Sequence, residues 1–215
     1  MNSANNRALW YMLLALALLA YVLPWLHNPP TGLTFAAYDL AEWSSLHPLA
    51  RAATPPLLTS LLLRIPLPCL LLGLLFVVNN PPKWFLIFSV SVTSIALLPP
   101  FEFLTQFRDD PNYQQQFAIS ILTFLIGILA ASQLARSLHK ISALAFFALS
   151  IISAIAGTID AARLMTAFGL PASIGLGIIL HCAIALLATA LTVPSPWKNK
   201  TEQLHHAATP SNASR

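Results

Sequence analysis

Six long apolar runs alternate with short polar or proline-bearing connections along this chain: Ala8 to Leu26, Leu57 to Val78, Trp84 to about Leu104, Phe117 to Leu134, Ile141 to Ile159 and Ala172 to Val193. Each comes close to the roughly 20 mostly apolar residues that a helix needs to cross a hydrocarbon core, and so predicts a spanning helix. Proline pairs stand at the edges of four runs, at 29 and 30, 55 and 56, 81 and 82, and 99 and 100. Proline has no amide hydrogen and cannot continue a helix without losing bonds, so these pairs predict where helices enter or leave. The pattern predicts an all-α fold, a polytopic integral membrane helix bundle of six transmembrane helices over residues 1–193. Residues 194–215 have too few apolar side chains to pack and read as a disordered tail.

A short helix is predicted in the first loop, within AAYDLAEWSSLHPLARAATPP. Thr34 can cap a helix from Phe35, and Pro48 would end it after His47. At about 100° per residue, Phe35, Asp39, Glu42, Trp43 and Leu46 share one face, and Ala37, Ala41, Ser44 and Ser45 the other. A lipid-surface helix separates apolar from charged faces and favours Lys or Arg on the polar one. This helix mixes carboxylates with aromatics, so it reads as an extracytoplasmic interfacial helix. Its Ala/Ser face suits docking on the bundle, with Asp39, Glu42 and Trp43 turned to another surface or a cavity.

Composition sharpens the class. With 57% hydrophobic and 8% charged residues, the chain lies far from the roughly one-quarter charged residues of soluble domains. No soluble catalytic or nucleotide-binding domain fits in the connections. The first run is followed by no small-x-small cleavage pattern before His27, so it reads as a retained span. Cys69 and Cys182 lie inside apolar runs and read as packing residues.

Charge then sets orientation. With the N-terminus inside, the inner connections carry Arg7, Lys83, Arg136, Lys140, Lys198, Lys200 and Arg215, against Arg51, Arg108 and Arg163 outside. Cytoplasmic segments carry the Lys/Arg excess, so both termini are expected in the cytoplasm, most simply at the cell membrane. The sequons at Asn199 and Asn212 would then be unused. Although the sequence pI is about 9.4, the basic residues are scattered and lack the clustered face that nucleic acid requires. The lipid bilayer is the expected environment, and a membrane-protein partner or a second copy the expected company.

Chemistry-bearing residues are few. Ser44, His47 and Asp39 make a poor triad, because Asp39 is too far along the helix to orient the ring. A metal set of Asp39, Glu42 and His47 with Glu102 or Asp109 follows none of the familiar ligand spacings. Haem would need a second axial ligand at the depth of His181, and His27, His47 and His139 lie elsewhere. No cofactor is expected. Gly-x-Ser-Gly is absent, and Ser120 and Thr123, near the depth of His181, lack a glycine-flanked setting for an oxyanion hole.

Arg64 is the most informative residue. It lies seven residues into the second run, about 10 Å below the boundary, where ionisable groups face the protein interior and find a partner. Glu102, if the third helix continues through Pro99 and Pro100, and Asp160, near Arg163 late in the fifth, reach a similar level and are the expected partners. Three function classes stay open. A non-enzymatic subunit or partner-binding protein follows from the missing catalytic motifs and the outer surface of loops 1 and 3. A small-solute or ion transporter would use Arg64 and the outer carboxylates, though no internal repeat is evident. An intramembrane hydrolase or transferase would rest on Asp39, His47, Glu102 and His181.

Overall fold

A computed structural model of the chain describes the backbone over residues 3–78, 82–131 and 139–193, and side chains over 8–78, 82–130 and 140–193. The expected tail at 194–215, its sequons, Pro81, and the inner connection bearing Arg136 lie outside the described residues. The elements are α1 (Ser3–Val22), β1 (Leu26–Asn28), β2 (Leu33–Phe35), α2 (Ala37–Leu46), α3 (Pro48–Ala52), α4 (Leu58–Arg64), α5 (Pro66–Val77), α6 (Lys83–Ala96), α7 (Glu102–Thr105), α8 (Pro111–Ala131), α9 (His139–Ala167), β3 (Ser173–Ile174) and α10 (Leu176–Thr192).

The fold is dominated by helix. Among the described residues, three helical stretches are long and apolar enough to cross a membrane: Leu58–Val77, Pro111–Ala130 and Lys140–Ala167. Three further apolar helices, Ala8–Val22, Lys83–Ala96 and Leu176–Thr192, are shorter. The third apolar run does not continue as one helix through its proline pair. α6 stops at Ala96, and Glu102 opens the separate α7. α9 instead runs past Ile159 to Ala167 and carries Asp160 and Arg163 on its final turns.

Helices that pack together run in opposite directions, as the points of closest approach reveal. A Cβ on Gly157 of α9 would lie 3.0 Å from Leu62, while a Cβ on Gly73 of α5 would run into the Phe147 ring, so α9 descends as α4 and α5 ascend in number. Val90 of α6 faces Gly127 of α8, and the Ser120 hydroxyl donates to the Ser94 carbonyl at 2.6 Å, which makes those two antiparallel. Gly177 near the start of α10 lies against Ala20, Leu23 and Trp25 at the end of α1. Small residues at these crossings let backbones approach closely. The core between them is filled by residues such as Leu13, Leu70, Leu71, Phe147 and Ala185. Large apolar side chains including Ile87, Phe88, Leu122, Leu125, Ile152, Ile155 and Leu186 point outward.

The second run bends where α4 meets α5. Pro66 removes the N–H that would bond to the Leu62 carbonyl, and Pro68 does the same for Arg64. The bend lies where Gly157 presses against Leu62 and Leu63.

One end of the bundle is closed by a cap. Its three short strands form an antiparallel sheet in the order β2-β1-β3, pairing Leu26 with Phe35 and with Ile174. Thus Thr34, expected to cap the loop helix, pairs with His27 in the sheet instead. The sheet joins the end of α1 to the start of α10. Gly175 N donates to Trp25 O and Gly177 N to Pro24 O, both at 2.8 Å. Buried Asn28 ties the turn down, donating to Pro171 O at 2.8 Å and accepting from Thr31 N and Oγ1.

Candidate functional site: a buried arginine under the cap helix

The cap helix α2 starts at Ala37, one residue after an extended Ala36. Asp39 reaches back so that its Oδ2 accepts from Ala36 N at 3.3 Å, which supplies the cap at the positive end of the helix dipole. The helix ends at His47, whose extended backbone also begins α3 and whose Nδ1 accepts from Leu49 N at 3.1 Å. Ala37, Leu40, Ala41, Ser44 and Ser45 are fully buried. Ser44 and Ser45 satisfy their hydroxyls on the carbonyls of Ala41 and Glu42. The Ala/Ser face therefore lies on the bundle, where small side chains permit close contact.

Packing that face down delivers Glu42 to Arg64. The Arg64 Nη2 donates to Glu42 Oε1 at 2.7 Å, with the arginine side chain 1% exposed and the glutamate 34%. The same oxygen accepts from Gln116 Nε2 at 2.9 Å. The Arg64 Nη1 donates to Asn112 Oδ1 at 2.8 Å and to Gln115 Oε1 at 3.2 Å. Gln115 in turn donates to Leu57 O at 3.3 Å, just before α4 begins. The partner of Arg64 is therefore neither Glu102 nor Asp160. Glu102 is exposed on α7, set apart by the break after Ala96. Asp160 pairs with Arg163 at 3.2 Å on the solvent side of α9.

Asn112, Gln115 and Gln116 were missed by reading charges alone. Their signal was present: three amides at i, i+3 and i+4 put a polar stripe on one face at the start of an apolar helix. Asp110 fixes where that helix starts. Its Oδ1 accepts from Asn112 N at 2.8 Å, and its Oδ2 pairs with Arg51 at 3.3 Å. Arg51 also donates from Nε to Ser45 O at 2.8 Å, so α2, α3 and α8 are tied together twice. Tyr38, beside Glu42, has its phenol pushed upward, first by partial burial and then by the glutamate charge.

The remaining candidate residues are held apart. Trp43, His47 and Phe168 form an aromatic group, with the His47 and Phe168 centroids 4.4 Å apart at 82° and those of Trp43 and Phe168 6.0 Å apart. Ser44, His47 and Asp39 each bond to a local backbone group and not to one another. No three His, Cys, Asp or Glu side chains among the described residues come together as a metal-holding group.

Deeper in the bundle, His181 meets Ser150, which the sequence reading did not select. Ser150 Oγ lies 2.8 Å from His181 Nε2 and donates to Pro66 O at 2.8 Å. A hydroxyl has one proton, so with that proton on Pro66 the serine oxygen accepts from Nε2–H. This polarity is opposite to that of an activated nucleophile, and both residues are fully buried. The bridge ties α5, α9 and α10 at the bend, while the Trp25 ring lies 5.3 Å from the imidazole. Ser150→Ala strands a buried imidazole N–H and should cost about 1–2 kcal/mol. Chemical unfolding of the solubilised variant measures it, and an unchanged midpoint would show that the bridge contributes nothing.

The site is thus a five-residue ion-pair and amide network, Glu42, Arg64, Asn112, Gln115 and Gln116, gathered from α2, α4 and α8. Compared with protein-family models, curated proteins and solved structures, the chain matches none of them.

Proposed function

We propose that this chain is an integral membrane protein of six crossings, without enzymatic activity, whose capped end lies outside the cytoplasm and binds another membrane protein. The observation that carries this reading is the cap itself. Glu42 and the Ser45 carbonyl are spent on Arg64 and Arg51, while Leu46, Leu49 and Phe168 stand out at 73%, 58% and 57% exposure around the Trp43–His47 pair. An apolar patch beside a helix that carries carboxylates and no Lys or Arg, with Arg51 of α3 turned to Ser45 and Asp110, favours a protein over lipid headgroups. The antiparallel packing of the helix pairs, the outward apolar side chains and the Lys/Arg imbalance support the crossings and the orientation.

Two measurements test the reading. Cysteines in place of exposed Asp109 and exposed Lys140 should differ in intact cells, the first reacting with an impermeant thiol reagent and the second not. Equal labelling ends the orientation. A photo-crosslinking residue at Leu46 should yield a discrete protein adduct in native membranes, lost on Leu49→Asp and reproduced with the purified partner. Lipid adducts alone would end the partner reading. The alternative, a small-solute carrier, is favoured by one observation, the donors of Arg64 that Glu42 leaves unfilled.

A further inference from the structure

Arg64 has five N–H groups, and their use is uneven. Two go from Nη1 to the amide oxygens of Asn112 and Gln115, and one from Nη2 to Glu42. Among the described residues Nε has no partner, although it is buried. The Nε/Nη2 edge is the side of a guanidinium that takes a carboxylate by two parallel bonds. Glu42 reaches only the Nη2 end of that side, through Oε1, and leaves Nε unmet. One turn earlier on the same face of α4, Ser60 is also fully buried, and its hydroxyl has no partner among the described residues. Helical side chains lean towards the N-terminus, which carries the Arg64 stem over the turn of Ser60. A buried donor left unpaired is unfavourable, and here two of them accompany a cation.

We propose that this edge of Arg64, with Ser60 and Gln116, is a binding site for a small carboxylate, and that Glu42 is its tethered occupant. The free anion takes both N–H groups of the edge, and Glu42, already one-third exposed, swings out to water. Charge selects the class. One buried cation among neutral amides balances a monoanion, whereas a phosphate dianion would leave an uncompensated buried charge. A halide would have to share one atom between the two N–H groups, whereas a carboxylate offers an oxygen to each. The tether gives Glu42 a high effective concentration, so an intact chain admits the free anion only weakly. This proposal does not depend on the partner-binding reading.

The test uses the full chain in mild detergent at neutral pH, with sodium acetate replacing sodium chloride at constant ionic strength. In Glu42→Ala the vacated site should bind acetate. A dissociation constant of about 10 mM would raise Tm by about 3–5 °C at about 100 mM acetate, and the rise should saturate. The intact chain should shift far less. In Glu42→Ala combined with Arg64→Lys, which keeps the charge and removes the two-pronged edge, the rise should vanish. Should Glu42→Ala fail to survive extraction in chloride, its recovery in acetate is the positive result, and Glu42→Gln is titrated in the same way. The proposal is overturned if neither variant responds saturably to acetate, or if the lysine double variant responds equally.

Discussion

Glu42→Ala is expected to destabilise the protein by about 3 kcal/mol, near the lower end of the range for breaking a buried ion pair, because it strands a guanidinium that has almost no access to water. The opposite deletion is expected to be milder. In Arg64→Met the Glu42 carboxylate, one-third exposed, can turn to solvent, and the thioether fills part of the vacated volume. Glu42→Gln combined with Arg64→Met should recover part of the loss, since replacing both members of a buried pair is better than removing one. Glu102→Gln and Asp160→Asn should recover none of it, as neither acid reaches Arg64. Urea midpoints of the purified variants in one detergent decide the matter. Rescue by Glu102→Gln or Asp160→Asn would contradict the geometry.

Gly175→Ala is expected to be comparably damaging, for a steric reason. A Cβ at Gly175 would run into the carbonyl oxygen of Pro24, and backbone on both sides leaves little room for relief. To make space, the strand would have to give up the bonds from Gly175 N to Trp25 O and from Gly177 N to Pro24 O. Overpacking of this kind costs about 1–3 kcal/mol, with lost buried hydrogen bonds in addition. The readout is amide exchange in the cap: protection at Trp25, Gly175 and Gly177 should collapse while the interior of α9 stays protected. Normal protection at those amides would mean that the join between α1 and α10 tolerates a methyl group.

The two variants probe different parts of the molecule, and they separate what local sequence carries from what assembly adds. Apolar runs and proline pairs depend on composition over a window, which is why most helices of the bundle lie where the hydropathy pattern puts them. The small Ala/Ser face of the loop helix was equally legible, because about 100° of rotation per residue is a local property. Its start was not. Thr34 resembles a cap by type, yet strand pairing with His27 claims that backbone, a contact that exists only once the chain returns through β1. The third run shows a similar limit, since hydropathy continues past Pro99 and Pro100 although the helix does not.

The depth of Arg64 in an apolar run was enough to imply that it is buried and paired, since an ionisable group at that level faces the protein interior and finds a partner. The identity of its partners came from the packing of the folded chain. Depth along a helix axis made Glu102 and Asp160 plausible, but it carries no information on which helices are neighbours or on how a connection folds back over them. Docking of α2 brings Glu42 down onto α4, and the approach of α8 supplies Asn112, Gln115 and Gln116. Sequence separations of 22 and 48 residues for Arg64 with Glu42 and Asn112 become hydrogen-bond distances. Ser150 and His181 meet in the same way, on helices that are neighbours only in the folded bundle. Periodicity encodes which face of each element is polar, whereas the identity of a partner depends on the relative placement of elements, which packing of the whole chain sets.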